Sequence, residues 1–200
     1  PQTNRIAVAA PKDRRPSSAL NVLLCQNGTS GPAPSQWPAK QPSRRATGTH
    51  GLPVFLQSNA IRLGQPHVLE ALLAAGVRGV LASYHSADAA VSDALTLAPG
   101  THARTEAGIR AALQAGLTVD LNAVVERRTL PGLAARSEHI VAAFQPHARE
   151  KAQLTVGFAY PTDYFDSAVY RAHVAPLDDV AAPLAQAVAI LRAADIPVGP

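Results

Sequence analysis

The 200-residue sequence has no methionine, one cysteine (Cys25), one tryptophan and only 4% aromatic residues. A lone cysteine excludes an internal disulfide framework, and with it the small stapled domains of the secretory pathway. No apolar run approaches the roughly 20 residues that a membrane span requires. The chain opens PQTNRIAV, with no basic segment leading into an apolar one, so no secretory leader is expected. The missing methionine, even at position 1, points to a processed or cropped chain. With the character of the rest of the chain, a cytoplasmic protein without a membrane partner is expected.

Acidic residues are scarce in the first fifty positions. Asp13 stands there against seven Lys or Arg, whereas residues 51–200 carry thirteen acids against eleven bases. The excess behind the net charge of +4 therefore sits in the N-terminal segment. Nucleic-acid binding would interleave such charges with aromatic rings, and Trp37 is the one aromatic residue available, so a nucleic-acid partner is not expected. Residues 1–50 also hold seven prolines. They read as a basic Pro/Ser-rich segment, partly disordered, with one possible strand at 19–25 (ALNVLLC).

Residues 51–200 have a different character. Strands are expected at 53–59 (PVFLQSN), 78–86 (RGVLASYHS), 117–125 (LTVDLNAVV), 152–161 (AQLTVGFAYP) and near 196 (IPVGP). Between them lie helical patterns. PHVLEALLAAG at 66–76 has Pro66 in its first turn and Gly76 as its stop. A short helix follows within SADAAVSDALTLAPG. THARTEAGIRAALQAG at 101–116 has Thr101 as the expected N-cap and Gly116 as its stop. LPGLAARSEHIVAAFQPH and VAPLDDVAAPLAQAVAILRAAD complete the set. Strict alternation of strand and helix predicts an α/β fold of parallel β/α repeats, open or closed as a barrel. In either form the chemistry belongs at the C-terminal ends of the strands.

Period two assigns the faces of those strands. Leu117, Val119, Leu121, Ala123 and Val125 form an apolar face suited to covering helices, while Thr118, Asp120, Asn122 and Val124 form the other. Polar residues inside a parallel strand must satisfy one another or meet a ligand. Ser83 and His85 end the preceding strand, and Gln57 and Asn59 share a face at the end of the one before. Three successive strands ending this way predict a ligand-binding mouth.

Other chemistries lack their motifs. No Gly-rich phosphate loop, HExxH or cysteine pair occurs, and no nucleophile elbow is present. Asp120, His85, Glu126 and His139 have no metal-ligand spacing. Arg127 and Arg128 suit either a carboxylate or phosphate partner or plain solvent exposure.

The run SYHSADAAVSDALTLAPGTHARTEAGIRAALQAGLTVDLNAVVERR resembles radical S-adenosylmethionine (radical SAM) enzymes. The matching pieces are Ser83-Tyr84-His85-Ser86, Ser92-Asp93-Ala94-Leu95-Thr96, Pro99-Gly100-Thr101, Arg104-Thr105 with Gly108-Ile109-Arg110, and Asn122-Ala123-Val124-Val125. LQSNA at 56–60 is similar to a Gln-Thr-Asn-Gly strand end, and GFAYP at 157–161 to the sixth strand of the same barrel. The resemblance covers about residues 51–200 and implies the C-terminal part of a partial TIM-type barrel. It also implies S-adenosylmethionine (SAM) and a [4Fe–4S] cluster held by Cys-x3-Cys-x2-Cys as cofactors. Gln57, Ser58, Asn59, Ser83, His85, Asn122 and Arg128 would then lie on the SAM side. Cys25 stands at the first cluster position, and Thr29 and Pro32 occupy the next two, leaving Cys25 the single candidate ligand.

Three functions follow as expectations. The first is a radical SAM-type enzyme, or a fragment of one, whose parent cleaves SAM reductively and abstracts hydrogen from a peptide or small-molecule substrate. The second is a cluster-free SAM- or nucleoside-binding or scaffold protein on the same fold. The third is a metal-dependent (β/α) lyase or hydrolase.

Overall fold

A computed structural model describes residues 20–22, 53–161 and 168–199. The expectations for the basic segment 1–50, apart from Leu20–Val22, and for Cys25 lie outside the described residues. Five strands form one parallel sheet in the order of the sequence: β1 (Leu20–Val22), β2 (Val54–Ser58), β3 (Val77–Ser83), β4 (Thr118–Val124) and β5 (Leu154–Ala159). Each strand pairs with the one before it, with Val54 opposite Leu20, Leu81 opposite Gln57, Asp120 opposite Leu81 and Thr155 opposite Asp120. The sixth expected strand is reduced to a single parallel bridge between Val198 and Val156, closed by Val156 N–H on Pro197 O and Gly199 N–H on Val156 O.

Helices join the strands, as parallel pairing demands. They are α1 (Pro66–Ala74), α2 (Ala89–Thr96), α3 (His102–Gln114), α4 (Leu133–Ala143), α5 (Ala168–His173) and α6 (Leu177–Ala193). Sequential strand order with helical crossovers is the arrangement of a partial β/α barrel.

The helix boundaries have local causes. Pro66 opens α1 with its φ already helical. Gly76 and Gly116 end α1 and α3 in left-handed conformations, φ 84° and 87°, which return the chain directly into the next strand. Asp88 caps α2, its Oδ1 accepting the N–H groups of Ala90 (2.8 Å) and Val91 (3.4 Å). Thr101 stands at the N-cap position of α3, as expected, but its side chain does not make the capping bond. Thr101 turns its hydroxyl back to Ala98 O (2.8 Å), and Asp93 of α2 instead accepts from Gly100 N–H (2.5 Å) and His102 N–H (3.2 Å). A carboxylate borrowed from the previous helix binds α3 to α2 as well as satisfying its end.

The core lies between the sheet and its helices. Val80 and Ala82 of β3, Val119 and Leu121 of β4, and Leu154 and Val156 of β5 are buried against Ile109, Ala112 and Leu113 of α3, Ile140 of α4 and Leu191 of α6. Gly108 lets α3 approach the turn after β2 closely, since a Cβ there would fall 1.9 Å from Ala60 O. Thr105 Oγ1 clasps the same turn by donating to Asn59 O (3.1 Å). Gln153 ties the opposite end of the barrel, its amide donating to Leu113 O (2.6 Å) and Leu117 O (3.0 Å). Among the described residues no helix is long and apolar enough to cross a membrane.

Candidate functional site

The sheet face away from the core carries the polar residues. Because side chains alternate along a strand, the register aligns them in rows across the sheet. One row runs Phe55–Gly79–Thr118, the next Gln57–Leu81–Asp120–Thr155, and the next Ser83–Asn122–Gly157. Asp120 is exposed, and Gln57, Ser83 and Asn122 are half-buried. A side chain at 157 would begin 3.6 Å from Asn122 Oδ1 and 3.8 Å from Asp120 Oδ1, so Gly157 leaves open the space into which both lean. Gly79 does the same for Phe55 and Thr118 in the lower row.

His85 follows on the same side of the chain as Ser83. Val124 N–H donates to its Nδ1 at 3.3 Å, tying the loop after β3 to the end of β4. Burial first, and the Arg136 charge second, hold the imidazole below its ordinary value, while Glu126 opposes them. Beyond β4 the chain turns sharply. Glu126 N–H donates to Thr129 Oγ1 (2.9 Å), and that hydroxyl donates to Val124 O (2.9 Å).

The sequence-derived candidates thus separate into groups. Gln57, Ser83 and Asn122 share the open face, with His85 at its upper edge. Ser58 falls on the other side of β2, and its Oγ accepts the N–H of Ala60 (3.1 Å) in the turn. Asn59 is exposed and makes the next link of that turn, its Oδ1 accepting from Ile61 N–H (3.3 Å). Arg128 is committed to Glu126, with Nε 2.6 Å from Oε1. Arg127 is exposed. Among the described residues no three His, Cys, Asp or Glu side chains are grouped to hold a metal ion.

A second polar centre escaped the sequence reading. Glu106 of α3 accepts from Tyr84 Oη (2.9 Å) and His139 Nε2 (2.7 Å) on one oxygen, and lies 3.4 Å from Arg110 on the other. His102 Nε2 bonds Ser86 O (3.1 Å) while standing 3.8 Å from the same carboxylate. The hydrogen bonds from Tyr84 and His139, with the charges of His139 and His102, hold the Glu106 carboxyl below its usual range, although burial, the largest single influence, pushes the other way. Burial, followed by that carboxylate, raises the Tyr84 hydroxyl far above its ordinary value. The i, i+4 spacing of His102, Glu106 and Arg110 was visible in the sequence, but Tyr84 and His139 reach Glu106 only through the fold.

No protein-family model matches the chain, and no curated protein matches it. Among solved structures the chain is similar to a domain of pyruvate-formate lyase-activating enzyme from Bacteroides vulgatus ATCC 8482. The identity is 13% and the TM-score 0.54, over 76% of this chain and 83% of that one. At that identity the likeness is one of fold, and it agrees with a partial β/α barrel.

Proposed function

We propose that the chain is the ligand-binding part of a radical SAM-type enzyme, with the adenosyl portion of SAM seated on the open face of β2–β5. The parent activity would be reductive cleavage of SAM and hydrogen abstraction from a peptide or small-molecule substrate. One observation carries the reading. Three adjacent strands bring Gln57, Ser83 and Asn122 onto the uncovered face toward their C-terminal ends, with Asp120 lower on the same face of β4, and such folds bind ligands at those ends. Its support is the radical SAM resemblance over residues 51–200, together with the likeness in fold to a domain of pyruvate-formate lyase-activating enzyme.

The two cofactors fit unequally. A nucleoside has hydroxyls and ring nitrogens that suit the amides of Gln57 and Asn122, the hydroxyl of Ser83 and the imidazole of His85. A [4Fe–4S] cluster needs three thiolates, and these 200 residues supply Cys25 alone. The shortage of thiolates favours a second reading, a cluster-free SAM- or nucleoside-binding protein of the same fold, in the cytoplasm.

Calorimetry with SAM, S-adenosylhomocysteine (SAH) and adenosine tests the shared core of both readings. Binding that weakens in Asn122→Ala is expected, and no heat at millimolar ligand sinks both. Anaerobic reconstitution with iron and sulfide separates them. Iron–sulfur absorbance and release of 5′-deoxyadenosine support the enzyme, and binding of SAM without either supports the cluster-free form.

A further inference from the structure

The end of β3 and the middle of β4 meet at one buried cation. Arg136 of α4 has no exposed surface. Its Nε donates to Tyr84 O at 2.7 Å and its Nη2 to Leu121 O at 3.4 Å. The guanidinium lies 5.8 Å from the ring centroid of Tyr84 and 5.3 Å from that of Phe158. No carboxylate pairs with it among the described residues, and Nη1 finds no acceptor there. Burial pushes it down to about 10, so it remains charged at neutral pH. A buried cation held only by carbonyls and ring faces is expensive to keep. The two carbonyls belong to the residues immediately before His85 and Asn122, two of the side chains proposed to meet the ligand.

His85 completes the arrangement. With Val124 N–H pointing at Nδ1, that nitrogen is an acceptor, and the single proton of the neutral ring sits on Nε2. Two charged groups act on this ring. Arg136 from α4 disfavours a second proton, and Glu126 from the loop after β4 favours it. Glu126 is itself shared with Arg128, which occupies both of its oxygens at 2.6 and 3.4 Å. The other ionisable group beside Arg136, Tyr84, turns its hydroxyl away to Glu106.

We propose that Arg136, bonded to the carbonyl that precedes His85, is a positioning residue that works with Val124 N–H on Nδ1 to present His85 as an Nε2–H donor at the end of β3. The ligand group met there is then a hydrogen-bond acceptor, such as a ribose oxygen, a purine nitrogen or a carboxylate, and not a cation. This rests on the proposed ligand face only for what is bound; the state of His85 is a property of the free chain.

Long-range 1H–15N correlation spectra of the 15N-labelled chain, followed across the pH range in which histidine titrates, read that state directly. The expected wild-type ring is the Nε2–H tautomer, titrating below histidine in an unfolded peptide. Arg136→Met should move the midpoint upward, and Arg136→Gln, which keeps a donor for Tyr84 O, serves if the Met variant does not fold. Glu126→Gln should move the midpoint downward in a chain that retains Arg136. A wild-type ring protonated on Nδ1, or a midpoint unmoved in these variants, overturns the proposal. SAH titration of His85 variants supplies a separate arm. His85→Gln keeps a donor near the Nε2 position and should weaken binding less than His85→Asn, by about tenfold between the two. Equal losses would overturn the donor role, whereas failure of the wild-type chain to bind SAH sinks the ligand reading and leaves the NMR result standing.

Discussion

On β4 the two faces of a single strand are built to opposite rules. Val119, Leu121 and Ala123 are buried against the helices, while Thr118 and Asp120 are exposed and Asn122 is half-buried. Where polar groups do enter the covered side they come as matched sets, with Glu106 surrounded by donors and Gln153 spanning two carbonyls. Arg136 departs from this as a cation with no carboxylate among the described residues, and the buried Ser137 hydroxyl likewise finds no partner among them. On the open side the sequence leaves Asp120 with no ion pair among the described residues. One face therefore carries stability, and the other is free to carry recognition.

The neighbours Leu121 and Asn122 test that division most sharply. Leu121→Ala removes a fully buried side chain and should cost about 2–5 kcal/mol, read from urea unfolding. Asn122→Ala should change stability by no more than about 0.5 kcal/mol while weakening SAM or SAH binding. Comparable losses of stability in both variants would mean that the open face is structural too.

Next in size is the contact that brings α3 to the site's edge. Gly108→Ala places a methyl where the Ala60 carbonyl already lies, so helix or turn must move. Overpacking of this kind costs about 1–3 kcal/mol. The turn it displaces is the one carrying Asn59, so chemical shifts of Asn59 and Ala60 should move with the stability. An unchanged turn with unchanged stability would show that the covered side tolerates more than its packing suggests.

Acid should weaken the fold through one group on each side, His85 at the edge of the open face and Glu106 on the covered one. His85 titrates below its ordinary value in the fold, so the unfolded chain binds the extra proton more readily. Stability from this group is complete above about pH 6.5 and is lost as pH falls toward the folded value. Glu106 is also held below its ordinary 4.5; its contribution is present above that value and disappears as pH falls further. Two successive losses on acidification are expected, and Glu106→Gln should remove the lower one. Stability that is flat from neutral pH to pH 4.5 would contradict the His85 assignment, and stability that is flat on further acidification would contradict that of Glu106.

The sequence disclosed the periodic part of this architecture and missed the part made by distant partners. Strand starts expected at 53, 78 and 117 fall within a residue of those observed and the one at 152 within two, because β-branched runs bounded by Gly and Pro leave little choice. Facing was equally legible, since Asp120 and Asn122 break an otherwise apolar strand. Arg136 was not. In LPGLAARSEH an arginine reads as the solvent side of a helix, and only the carbonyls of Tyr84 and Leu121, over a dozen residues away, explain its burial. Asp93 as the acceptor at the start of α3 was hidden for a related reason, since Thr101 holds the N-cap position and only the packing of α2 alongside brings that carboxylate there.

The smallest expected effect bears directly on the open face. Asp120 is exposed and lies between Leu81 and Thr155 in its row, with its carboxylate toward Gly157 and Asn122. Losing that charge in Asp120→Asn removes no buried partner, so stability should hold within about 0.5 kcal/mol. Ligand choice is the sensitive measure. SAM carries a sulfonium that SAH lacks, and a carboxylate near the bound sulfur favours the charged ligand. Asp120→Asn should therefore weaken SAM while leaving SAH nearly unchanged, in paired titrations at low salt where the screening of an exposed charge is least. Equal weakening of both ligands would place Asp120 against the nucleoside instead, and no change in either would confine recognition to the row of Ser83 and Asn122 above it.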